Sequence, residues 1–228
     1  MRIWAFCSQK GGSGKSTLCT QLAVYAEQQG EIVCVADLDP QTNAQLWSQA
    51  RGTREPVVHA VPVEKLRDII GAAQEFGVSL VMIDTPSKVD AAVNAAIGAA
   101  DLIVAPTLAG LFDLASLSDT VRLLRMAGKL EAAVAVINRV PSDQKREAAA
   151  VAHATAALER FGMVIAPAHV CDRPPFMTAI EVGKGVTEKA PKSPAATEIR
   201  ELWAFLDKHS KAVSKSKAPV KTSKARVS

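Results

Sequence analysis

The chain has 228 residues, 48% of them hydrophobic, which suits one well-buried α/β domain or two small ones and excludes global disorder. No apolar run approaches the about 18 residues of a membrane span, and the short apolar stretch behind Met1 cannot serve as a secretory-signal core. The net charge of +4 is a tail property: residues 208–228 carry seven Lys/Arg and no acid, leaving a net −3 over 1–207.

Elements follow one another as strand and helix from the start. Strands are predicted over 3–8, 32–37, 57–61, 78–84, 102–106, 132–138 and 163–166. Helical patterns cover 15–29, 42–50, 64–76, 114–127, 143–161, 176–182 and 193–208, with Gly30 and Gly128 as stops. This alternation predicts an α/β fold: a mostly parallel, twisted sheet with helices on both faces, spanning 1–207. From about Ser210 the composition falls to Lys, Ser, Ala, Val and Pro, so 208–228 is expected to be a basic, disordered tail. Cys7, Cys19, Cys34 and Cys171 form no C-x-x-C pair; they are expected to be buried free thiols, with neither a zinc site nor a disulfide framework.

The first strand runs into Lys10-Gly11-Gly12-Ser13-Gly14-Lys15-Ser16-Thr17. Phosphates need closely spaced backbone N–H donors, a helix N-terminus and a cation, and this segment supplies all three. Lys15 can neutralise the β- and γ-phosphates, and the Ser16 hydroxyl is placed to ligate Mg²⁺. The usual pattern begins with a glycine where this chain has Gln9, and it gains a second lysine, Lys10. Carboxylates follow at strand ends, where a metal-linked water would sit. Asp84 ends 80–83 and precedes Thr85-Pro86, while Asp37 and Asp39 alternate onto one side and also suit a cap for the next helix. Asn138 closes a strand and can both donate to and accept from a purine edge, or serve as a turn residue.

Together these residues resemble the ParA/MinD family of partition and positioning ATPases, which carry a deviant phosphate loop. The likeness runs from Met1 to about Leu206 and rests on residues 10–17, Asp37-Leu38-Asp39-Pro40-Gln41 and Asp84-Thr85-Pro86. A later stretch, Asp172-Arg173-Pro174-Pro175-Phe176 onward, is also similar. The resemblance implies ATP and Mg²⁺ as cofactors and a homodimer formed on ATP. Lys10 would reach the partner's phosphates, Asp39 would orient the attacking water, and Asp37 and Asp84 would hold Mg²⁺ through its waters. Thr17 would touch the α-phosphate, Asn138 would read adenine, and Pro174 and Pro175 would lie beside it. It further implies nonspecific DNA binding, for which Arg173, Lys184, Lys189, Arg200 and the basic tail are candidates. A ParB-like or other adaptor would stimulate hydrolysis, in the cytoplasm and on the nucleoid. The tail has no Leu, Ile, Phe or Trp and so no apolar face for a membrane. Since the first strand is predicted to start at about residue 3, no helix-turn-helix ahead of it is expected. An accessory ATPase of DNA transfer, or a small-molecule kinase or synthetase on the same scaffold, are the competing readings.

Overall fold

The central apolar runs become strands that bury both of their faces, which only a sheet covered on both sides allows, while the edge strands at 57–60 and 164–165 stay partly exposed. The computed structural model describes residues 1–88 and 90–216, the side chains of 111–116 and 214–216 excepted. The strands are β1 (Arg2–Phe6), β2 (Val33–Asp37), β3 (Val57–Ala60), β4 (Leu80–Asp84), β5 (Leu102–Thr107), β6 (Ala133–Ile137) and β7 (Val164–Ile165). They form one seven-stranded sheet in the order β3-β2-β4-β1-β5-β6-β7, with every paired strand parallel. Strands β2, β4, β5 and β6 are buried along their whole length.

Alternation along β1 divides the core. Trp4 and Phe6 point to one face, under α1 (Lys15–Gln28), α2 (Asn43–Arg51), α7 (Pro174–Ile180), α8 (Val186–Lys189) and α9 (Pro194–Ser216). Ala5 and Cys7 point to the other, under α3 (Leu66–Glu75), α4 (Ala91–Ala99), α5 (Leu111–Met126) and α6 (Gln144–Phe161). All four cysteines are buried thiols, and burial pushes that of Cys7 up to about 12. Among the described residues no helix is long and apolar enough to cross a membrane.

Three helices differ from the sequence expectation, the short α8 being one that no predicted element covers. Helix α4 has no counterpart among the predicted elements: its alanine-rich run shows weak amphipathic contrast, and its start is set by Asp90, whose carboxylate accepts from Ala92 N and Val93 N. Helix α9 does not stop at Lys208 but continues to Ser216. One tertiary contact and two pairs four residues apart within the helix carry it past the point where composition weakens. Ser210 is fully buried and its Oγ accepts from Trp4 Nε1 at 2.9 Å. His209 stacks on Phe205, and Lys211 pairs with Asp207 at 2.8 Å. The rest of the predicted tail, 217–228, lies outside the described residues.

The α7–α9 layer is bolted to α1 and α2. Gln21 Nε2 donates to Lys184 O and its Oε1 accepts from Val186 N. Arg51 grips Glu188 through two bonds of 2.8 and 2.7 Å and lies 5.3 Å from the Trp47 ring. Gly185 makes this approach possible, because a Cβ there would stand 2.6 Å from Val24 Cγ1. The wall that α7 presents to the cleft is therefore fixed from behind.

Candidate nucleotide site

The topology places a crevice at the carboxyl end of β1, where the chain turns to one side through β2 and returns on the other through β5. The loop after β1 fills its floor. Gly14 has φ 92°, and a Cβ there would sit 2.2 Å from Asn138 Nδ2, so only glycine fits. Helix α1 starts at Lys15 without a side-chain cap; its first i→i−4 bond is Leu18 N to Gly14 O at 2.9 Å. The N–H groups and positive end of that turn face the loop, the arrangement that binds phosphate. Gly11, Gly12, Gly14, Lys15, Ser16 and Thr17 all line a cleft of about 740 Å³. Ser13 is buried with its hydroxyl unpartnered.

Lys15 is itself buried, at 6% exposure. Burial holds its ammonium below the ordinary value, while Asp84 and Asp39 pull it back up. Asp84 is the opposing charge. Sheet register sets it opposite Phe6 of β1 and Asp37 of β2. Both of its carboxylate oxygens are buried without a hydrogen-bond partner. Burial pushes its pKa up to about 7, helped by Asp37 and Asp39, while the Ser16 hydroxyl and Lys15 work downward without completing a bond. Two unpartnered carboxylate oxygens beside a hydroxyl and a phosphate-binding loop are a hard, oxygen-only donor set, and they fit Mg²⁺.

Asp37 is equally buried, but its oxygens are occupied. Oδ2 accepts from Ala44 N at 3.0 Å and Gln45 N at 3.1 Å, and Oδ1 from Asp39 N at 3.1 Å. The helix-capping alternative is thus the one these contacts realise. Asp39 lies half-buried on the cleft wall, its Oδ1 accepting from Gln41 N at 3.0 Å. Lys10 stands just ahead of the residues that line the cleft, with its backbone N–H directed at Ser8 Oγ.

On the other side of the loop, Asn138 lines the cleft and donates its amide to Ser13 O at 2.7 Å. That bond ties the loop to Asn138 and uses one of the two Nδ2 hydrogens. Pro174 and Pro175 start α7, and the cleft wall comes from their neighbours Asp172, Phe176 and Met177. Arg139, not singled out from the sequence, also lines the cleft. Its φ is 52°, and its guanidinium reaches Gly12 O at 3.4 Å and Asp172 Oδ2 at 3.3 Å. Its position directly after the strand-ending Asn138 was the available signal. Of the basic residues named for DNA, Lys184 and Lys189 are exposed. Arg173 instead binds Glu198 at 2.7 Å, and Arg200 binds Pro191 O at 2.7 Å.

Comparison with known proteins covers this whole cleft. Residues 4–185 match the CobQ/CobB/MinD/ParA nucleotide-binding domain. The chain is 38% identical over 121 residues to the maintenance of carboxysome distribution protein A of Gloeobacter kilaueensis, a match spanning 53% of this chain and 55% of that relative. It therefore aligns with about half the length of that protein. Identity to the chromosome-partitioning ATPase Soj of Thermus thermophilus is 29% over 244 residues, 89% of this chain and 94% of the relative. In fold, the MinD cell division protein of Aquifex aeolicus is similar at a TM-score of 0.75 and 15% identity, covering 91% and 98% of the two chains. The family match takes in the phosphate loop, both buried aspartates, Asn138 and α7, and the chain belongs to the CobQ/CobB/MinD/ParA family of nucleotide-binding proteins.

Proposed function

We propose that the chain is a ParA-like ATPase that uses ATP to position a cargo: a plasmid, a chromosome region or a protein cluster. ATP would close two copies into a dimer that binds DNA nonspecifically. An adaptor protein would then stimulate hydrolysis and release. The observation that carries this reading is Lys15 buried beside an unpartnered Asp84 at the N-terminus of α1. Relatives named for chromosome partitioning and carboxysome distribution support the positioning role.

Lys15 and the α1 N-terminus would hold the β- and γ-phosphates, and Ser16 with Asp84 would hold Mg²⁺, which screens charge developing on the phosphates. Asp39, on the cleft wall, would orient the attacking water. Asp37 keeps Asp39 in place by accepting its N–H and capping α2. Lys10 would act across the dimer as a cation supplied in trans. Thr17 would meet the α-phosphate, and the base would rest by Asn138, Asp172 and Phe176.

The test is DNA co-sedimentation with ADP, ATP and a slowly hydrolysed ATP analogue, with and without residues 217–228. Binding confined to ATP and its analogue, and weakened at high salt, is expected. Lys10→Ala should still bind ATP yet lose dimerisation and stimulated hydrolysis. Binding that is absent or indifferent to nucleotide, or full stimulated turnover in Lys10→Ala, would contradict the reading.

A further inference from the structure

One group of side chains beside the cleft takes no part in the function proposed above. Glu147, in the first turn of α6, meets His169 and Cys171, which follow β7. A carboxylate oxygen, an imidazole nitrogen and Sγ from these three lie within 4.8 Å of one another. His169 Nε2 is 2.9 Å from Glu147 Oε1. Cys171 forms the floor at 1% exposure, while the Glu147 and His169 side chains keep 28% and 26%, leaving a mouth for an ion to enter.

The floor is held rigidly. Glu198 Oε2 accepts from Cys171 N at 3.1 Å, and Glu198 itself is tied to Arg173. Cys171 also forms a parallel bridge to Val140, and Asp172 N donates to Val140 O at 2.7 Å. A thiol fixed by its backbone, with two longer side chains free to swing toward it, is a preorganised set of donors.

We propose that Glu147, His169 and Cys171 bind one Zn²⁺, with water in the fourth position. Sulfur, nitrogen and oxygen donors together suit a borderline-soft divalent metal, and the thiolate disfavours Mg²⁺ and Ca²⁺. Charge balances: the Cys171 thiol releases its proton to solvent on binding, and thiolate plus carboxylate neutralise the ion. Zinc bonds of about 2.0–2.3 Å place tetrahedral ligands about 3.5 Å apart, so His169 Nε2 and Glu147 Oε1, now 2.9 Å from each other, need to spread slightly while moving toward Cys171 Sγ. Zinc here would run against the expectation drawn from the missing C-x-x-C pair, because the ligands converge from separate elements. It has a structural consequence. Cys171 lines the cleft and Asp172 holds Arg139, so zinc would tie α6 to the cleft wall. The proposal is independent of the ATPase reading.

The full chain, stripped of metal with a chelator, is titrated with Co²⁺ as a coloured substitute for zinc, in excess Mg²⁺. The expected result is one Co²⁺ per chain with a thiolate-to-cobalt charge-transfer band, discharged by stoichiometric Zn²⁺. Cys171→Ser should abolish the band. His169→Ala and Glu147→Gln, at partly exposed positions, should each weaken binding by more than about tenfold while circular dichroism stays native. These two variants carry the test even if Cys171→Ser misfolds. No band, or a band whose affinity survives His169→Ala or Glu147→Gln, would overturn the proposal.

Discussion

The carboxyl ends of β2 and β4 lie side by side, with Asp37 and Asp84 in register and both essentially inaccessible. At β2 the chain satisfies its own aspartate: three backbone N–H groups converge on Asp37 and fix the loop that carries Asp39. At β4 it does not, and Asp84 keeps two buried oxygens without a donor. A buried unsatisfied polar group costs about 1–3 kcal/mol, more when charged. The same residue type at the same level of one sheet is thus satisfied by the fold in one place and left open in the other, where the proposed function would put a ligand. The second carries a local penalty that the proposed Mg²⁺ and nucleotide would relieve.

The comparison can be broken most sharply through activity. Asp84→Asn is expected to lower Mg²⁺-dependent ATP hydrolysis by on the order of 100-fold or more, read as phosphate release at saturating nucleotide. Near-wild-type turnover would remove Asp84 from the metal site. Asp37→Ala leaves three N–H groups without their acceptor and should cost about 1–3 kcal/mol of stability, measured by denaturant unfolding. An unchanged midpoint would mean that those bonds are replaced by water.

Titration gives a smaller effect. The folded pKa of Asp84, about 7, lies above its ordinary 3.8, so the folded apo protein holds this proton more tightly than the unfolded chain. Its contribution to apo stability therefore declines as pH rises from about 4 to about 7 and is flat above. Mg²⁺ binding has the opposite sign, because it needs the carboxylate. Mg²⁺ affinity in the presence of ATP should rise with pH by up to about tenfold per unit below 7 and level off above. Asp84→Asn should flatten that rise.

Much of this contrast was legible in the sequence. The loop at 10–17, the strand-ending Asp84 and the Asp37–Asp39 pair announce themselves by local spacing, and the parallel sheet follows from strand–helix alternation. What escaped depends on convergence through space. Asp37 reads from the sequence first as a metal-side carboxylate and second as a cap, and the bonds from Ala44 and Gln45 that make it a cap form only through space. Arg139 matters because a positive φ turns it back over Gly12, which no periodicity reports. Helix α4 is alanine-rich with little amphipathic contrast, and α9 outlasts its composition because Trp4 captures Ser210. Glu147, His169 and Cys171 come from α6 and from the strap behind β7, so their spacing carries no motif.

The most direct test of the central contrast is a pair of melting curves at pH 8, for Asp84→Asn and Asp37→Asn, each with and without Mg²⁺ and ATP. Asp84→Asn should melt above the wild-type apo protein, by roughly 1 kcal/mol of stability, and gain little from Mg²⁺ beyond ATP alone. Asp37→Asn should melt below wild type and retain a Mg²⁺-dependent rise. If both variants melt below wild type, or if Asp84→Asn keeps the full Mg²⁺ effect, the division of labour between the two aspartates is wrong.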